Sequence, residues 1–138
     1  MRHPELTAFL AALLLVGCGP DYDTIIRNAD VYDGTGGPAV TADVAISGGQ
    51  IARIGDLTDA SAGQDIDATG LTLAPGFIDV HSHAAGALAT QELAPGEPLL
   101  RQGITTIFAN PDGGGPVNMA GQRAALEAAS PGVNVAQL

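Results

Sequence analysis

From Leu73 to His83 the chain reads Leu-Ala-Pro-Gly-Phe-Ile-Asp-Val-His-Ser-His, a short apolar run expected to be buried, which follows a Pro-Gly turn and ends in two histidines two residues apart. A run of this length after Pro-Gly predicts a strand of a parallel sheet and argues against a helix. Side chains at i and i+2 of a strand share a face, so His81 and His83 can present both imidazoles to one ion. Asp79 shares that face by the same count. It either orients an imidazole or satisfies neighbouring backbone. Polar residues that arrive only at the C-terminal end of the strand point to the mouth of an α/β barrel, where such folds gather their chemistry. Taken alone, a His-x-His pair fits exposed loop residues better than a pair of ligands.

The pattern after Pro75 alternates strand and helix. Pro95 to Gln102 predicts a short helix with Leu99 and Leu100 on its apolar side, and Gly103 is placed to end it. Ile104 to Ala109 is a β-branched run that reads as a buried strand, so strand, helix and strand predict a parallel unit. Val117 to Ala129 predicts a second helix, stopped by Ser130-Pro131-Gly132, and Val133 to Leu138 a third strand. The loop Asn110-Pro111-Asp112-Gly113-Gly114-Gly115-Pro116 follows the second strand at the face that holds the histidines. Asp112 is the nearest residue able to donate a hard oxygen ligand to a divalent ion, with Asn110 behind it; the alternative is a plain turn in which Asp112 bonds its own backbone. Gly113 and Gly114 could bring backbone N–H groups close to a substrate carboxylate.

Before Pro75 the chain is a series of short β-like runs: Thr24 to Val31, Ala42 to Ser47, Ile51 to Ile54, Asp65 to Asp67 and Leu71 to Leu73. Ser47-Gly48-Gly49-Gln50 joins the second and third as a hairpin. Asp33-Gly34-Thr35-Gly36-Gly37-Pro38 reads as a loop; no Lys-Ser or Lys-Thr follows it as a phosphate-binding loop requires, and no G-x-G-x-x-G spacing occurs.

These motifs together resemble the amidohydrolase superfamily. Ala74 to His83 is similar to its first barrel strand, and the resemblance implies that His81 and His83 bind a divalent metal, zinc first. Tyr22 to Gly34 resembles the small β-sandwich that precedes the barrel, and Arg101 to Asn110 the second barrel strand. The phrasing is closest to N-acyl-D-amino-acid deacylases, the D-aminoacylase-like branch. Many of these carry Asn-Cys-Gly where this chain has Asn110-Pro111-Asp112, with the cysteine as a metal ligand. The fold implied is α/β: a β-sandwich segment, then the first three strands of a metal-dependent (β/α)8 barrel. A whole barrel takes about 250 residues and this chain has 138. The expectation is therefore the N-terminal piece of a larger enzyme or a truncated reading frame, with an open strand edge that invites aggregation.

The first residues predict export. Ala8 to Val16 is an apolar run too short to span a bilayer but suited to a signal peptide. It ends Leu-Val-Gly-Cys, which resembles a bacterial lipobox and implies a lipidated Cys18 that anchors the protein at the periplasmic side of a membrane. The expected organisation is a signal peptide over 1–17, the β-rich segment over 18–74 and the barrel start over 75–138. Cys18 is the one cysteine in the chain, so lipidation leaves none for a disulfide. With 15 acidic and 5 basic residues the formal net charge is -10, and without a basic stripe there is no expectation of a nucleic-acid partner. Oligomeric state is left open by the sequence.

The function the resemblance implies is hydrolysis of a small-molecule amide by metal-activated water, with N-acyl-D-amino acids as substrates. The general base is expected on a late barrel strand beyond Leu138, so no catalytic residue falls within this chain, which alone should bind metal weakly and not turn over. Two other classes stand beside it: a dihydroorotase-like, cyclic-amidase or dipeptidase-like amidohydrolase, and a non-enzymatic surface lipoprotein.

Overall fold

A computed structural model describes residues 19–138. The signal peptide, the lipobox and Cys18 lie outside the described residues. Among the described residues no helix is long and apolar enough to cross a membrane. The described chain divides into two compact units, one formed by residues 19–31 and 38–73, the other by residues 32–37 and 74–138.

The first unit is a five-stranded sheet of β1 (Tyr22–Val31), β2 (Val40–Ser47), β3 (Gln50–Gly55), β4 (Ala62–Asp67) and β5 (Thr72–Leu73). Its order is β3-β2-β1-β4, with β5 extending the same edge of β1 beyond β4. The pairs β1–β2 and β2–β3 are antiparallel, while β4 and β5 run parallel to β1. Gly48 and Gly49 close the β2–β3 hairpin with φ of 57° and 74°, the left-handed pair that a two-residue turn requires.

Both faces of this sheet carry apolar clusters. Ile25, Ala45 and Leu57 form one, and Ala29, Val31, Val44 and Ala68 the other, with Ile26 packed against the second. Strict alternation would put Ile26 and Ala29 on opposite faces. Between them the register with β2 shifts, and Asn28 takes a left-handed φ of 57°; the bulge resets the alternation so that Ile26, Ala29 and Val31 serve one core. The buried carboxylate of Asp43 pins the bulge by accepting the Asn28 N–H at 2.8 Å, and it also accepts the Leu57 N–H at 3.2 Å. Arg27 lies 3.6 Å from Asp43 and donates to Asp65, Leu57 O and Ala60 O.

Three loops repeat one device. Asp33, Asp56 and Asp67 each accept the hydroxyl and the backbone N–H of the threonine two residues later, Thr35, Thr58 and Thr69. The threonine hydroxyl, then its N–H, holds each carboxyl below the ordinary value of 3.8. Because these values are lower in the folded chain than in the unfolded one, their contribution is present above about pH 4 and is lost as the pH falls through the lowered values. Thr58→Val and Thr69→Val together are therefore expected to make the fall in stability between about pH 4 and pH 2 shallower, read as urea midpoints across that range; an unchanged slope would contradict the assignment.

The second unit runs β6 (Phe77–Ser82), α1 (Ala85–Leu88), α2 (Glu97–Leu100), β7 (Ile104–Ala109), α3 (Met119–Ala129) and β8 (Asn134–Gln137), with a single 3-10 turn at Pro111–Gly113. Its three strands are parallel in the order β6-β7-β8. The core joins Leu88, Ile107, Leu126 and Val133, so both helical connections and the central strand contribute. The single turn α1, absent from the sequence reading, fits a segment too short to show a helical period. The helix expected over Pro95 to Gln102 contracts to α2, entered through left-handed Gly96 (φ 64°) and ended at Gly103 (φ 75°).

One expectation is corrected here. The apolar run of β6 is not buried in this chain: Phe77 is 62% exposed and Val80 68% exposed. The strand pairs with β7 on one edge, and among the described residues no layer covers its apolar side chains.

Candidate metal site

The site grows from the end of β6. His81 is in the strand, Ser82 is its last residue and His83 follows. Ser82 is buried and its hydroxyl accepts the Ala84 N–H at 3.3 Å, which starts the chain into α1. The residues on either side of Ser82 are thereby left on the opposite, open face. Both histidines are exposed, and their rings stand edge to face with centroids 5.5 Å apart. Asp79 accepts the backbone N–H of His81 at 3.1 Å. Of the two roles open to it, satisfying nearby backbone is the one it fills here.

The third group arrives from the loop after β7. The turn at Pro111–Gly113 lifts Asp112 so that its Oδ2 lies 3.1 Å from His81 Nε2. One ligand atom each from His81, His83 and Asp112 lies within 4.8 Å of the others. A tetrahedral zinc site places neighbouring donors about 3.3 Å apart, so the His81–Asp112 edge already has that length. Two imidazole nitrogens and one carboxylate also form a donor set suited to a borderline divalent ion. The set is open: the side chains of His81 and Asp112 are 57% and 72% exposed, which leaves room for water and a substrate oxygen.

The glycines of this loop divide in their use. Gly114 gives its N–H to Pro111 O at 2.9 Å, inside the turn. Gly113 is exposed with a left-handed φ of 67°. Asn110 also takes a left-handed φ, 64°, and its carboxamide pairs with that of Gln122, which Gln137 joins. Neither glutamine was marked in the sequence, because they lie 12 and 15 residues from their partners on a helix and a strand. No local motif links such positions.

With this geometry in view, comparison with known proteins is specific. A sequence model of the amidohydrolase family matches residues 64–130. An N-acyl-D-aspartate deacylase of Alcaligenes xylosoxydans xylosoxydans is 49% identical over 86 residues, 62% of this chain and 17% of the relative. An adenine deaminase of Listeria monocytogenes is 41% identical over 90 residues, 64% of this chain and 15% of the relative. Among solved structures, an N-acyl-D-glutamate deacylase of Bordetella bronchiseptica in complex with zinc and a phosphonate inhibitor aligns with TM-score 0.72 and 32% identity. That alignment covers 85% of this chain and 29% of the other. The chain thus spans about a sixth of the curated relatives it matches, and its α/β architecture is that of the corresponding part of amidohydrolase barrel proteins. Residues 64–130 are the stretch over which this chain is similar to the amidohydrolase family.

Proposed function

We propose that this chain is the metal-binding opening segment of a longer, exported amidohydrolase that hydrolyses the amide bond of N-acyl-D-amino acids. The observation that carries the reading is the convergence of His81, His83 and Asp112 at the C-terminal ends of two adjacent parallel strands. Two features support a longer polypeptide: the small share of each relative that is matched, and the exposed apolar run of β6, since strands of parallel sheets are ordinarily covered on both faces. Cys18, lipidated, would hold the protein at the periplasmic side of a bacterial envelope through its acyl chains.

His81, His83 and Asp112 would hold the ion. A divalent ion held there would supply a Lewis acid for the scissile carbonyl and would lower the pKa of bound water toward neutrality. The residues of this chain do the rest of the local work. Asp79 fixes the backbone of His81, and with it the direction in which the imidazole leaves the strand. The carboxylate of Asp112 would offset part of the ion's positive charge, and Gly113, exposed in the loop, would offer its N–H to a substrate carboxylate.

The expected result is hydrolysis of N-acetyl-D-aspartate or N-acetyl-D-glutamate by the longer protein that carries this segment, and no turnover by the 138-residue chain alone. Release of ammonia from adenine in place of acetate from N-acyl-D-amino acids would move the assignment to a deaminase. Turnover by the isolated chain would contradict the fragment reading.

A further inference from the structure

We propose that Gln122 is a positioning residue that aims the carboxylate of Asp112, acting through Asn110 and backed by Gln137. The inference rests on reading His81, His83 and Asp112 as a metal centre.

The contact between Asp112 and His81 is exposed on both sides, and a polar contact so open to solvent holds little by itself. Yet the turn that presents Asp112 is demanding. Asn110, Asp112 and Gly113 all take left-handed φ, 64°, 57° and 67°, and the first two are not glycine. Backbone of this kind persists where the surroundings over-determine it. Among the described residues the polar partner of the Asp112 carboxylate is His81, so the restraint must enter elsewhere in the turn.

It enters at Asn110. The Asn110 Nδ2 donates to Gln122 Oε1 at 2.9 Å, and Gln122 Nε2 donates back to Asn110 Oδ1 at 3.1 Å. A reciprocal pair of carboxamides is satisfied in one relative orientation only. Gln137 Nε2 donates to the same Gln122 Oε1 at 2.6 Å, which ties the pair to β8. Gly115 lies over the Asn110 side chain so closely that a Cβ there would come within 2.7 Å of it. Gln122 sits one turn into α3, whose start is capped by Asn118 Oδ1 accepting the Gly121 N–H at 2.8 Å. Pro111, buried and fixed in φ, then carries the orientation of Asn110 to Asp112, and Gly114 N–H closes the turn on Pro111 O. The chain of restraint therefore runs from helix and strand, through two amides, to the carboxylate.

The test is a cobalt(II) titration of the full chain, read by visible absorption, with melting temperature recorded for every variant. Gln122→Met keeps the length of the side chain and removes every amide contact. It is expected to retain cobalt on the histidines, with affinity about 10-fold weaker, as when an outer hydrogen-bond partner of a ligand is lost. Its spectrum is expected to move toward that of Asp112→Asn. If Gln122→Met lowers the melting temperature, Gln137→Met decides, since it leaves the Asn110–Gln122 pair in place and is expected to shift the spectrum the same way by less. A wild-type spectrum and affinity in a folded Gln122→Met, beside altered ones in Asp112→Asn, overturns the positioning role alone. Unaltered cobalt binding in Asp112→Asn and His81→Ala overturns the metal centre itself and the inference with it.

Discussion

Replacing either histidine by alanine is expected to weaken zinc binding to this chain by more than about 100-fold. Loss of an outer partner of a ligand costs about 10–100-fold, and removal of a ligand itself should exceed that range. The donor set explains why no neighbour compensates. Among the described residues His81, His83 and Asp112 are the one group of three that could hold an ion, so His81→Ala leaves one imidazole and one exposed carboxylate, for which water competes on equal terms. Asp79→Ala makes a graded contrast. It deletes only the acceptor of the His81 backbone N–H, a partner of neither ring, and is expected to cost less than the about 10-fold at which loss of an outer partner of a ligand begins. Competition with a chromophoric chelator measures all three. A loss under about threefold in both histidine variants would contradict the assignment, given the range above.

The second large effect lies away from the ligands, at Gly132→Ala. Gly132 donates its N–H to Ala94 O at 2.8 Å, and it passes so close to Pro95 that a Cβ would overlap the Pro95 carbonyl oxygen and come within 2.9 Å of the carbonyl carbon. The opposing atoms are backbone, which cannot swing aside as a side chain can. Overpacking of this kind costs about 1–3 kcal/mol, and this variant is expected at the upper end of that range. The displaced segment leads into β8, so Gln137 and the amide chain behind Asp112 should loosen as well. Gly86→Ala is the matched control: nothing lies within 4 Å of its Cβ position and it sits in α1, where alanine is favoured over glycine by up to about 1 kcal/mol. Thermal denaturation of both variants is the measurement, with a fall expected at 132 and none at 86. Equal melting temperatures would show that the Pro95 crossing has slack.

What could be read from the residues follows from how local each cause is. The strand Ile104–Ala109 was legible to the residue because a β-branched run bounded by Gly103 and Asn110 carries its own start and stop. The Gly48-Gly49 hairpin was legible because few sequences other than glycine tolerate its backbone. His81, His83 and Asp112 were legible as candidates, since parallel strands in sequence order put their C-terminal ends at one face. Other features depend on partners far along the chain. The bulge at Asn28 depends on Asp43 reaching across from β2, and the parallel pairing of β4 with β1 joins Tyr22 to Ala62, neither marked by any motif. The exposure of Phe77 and Val80 was equally hidden, because an apolar run shows what a strand prefers to touch and not whether that partner is there. The roles of Gln122 and Gln137 were hidden for the first reason: an amide on a helix has meaning only when the amide opposite it is known.

The most direct test of the account is zinc K-edge X-ray absorption on the chain loaded with one equivalent of zinc. The account predicts a nearest shell of nitrogen and oxygen at about 2.0–2.1 Å, with outer scattering from two imidazole rings that falls to one ring in His81→Ala. A shell of oxygen alone, or sulfur at about 2.3 Å from Cys18, would contradict it, since the ion would then be bound somewhere other than the end of β6.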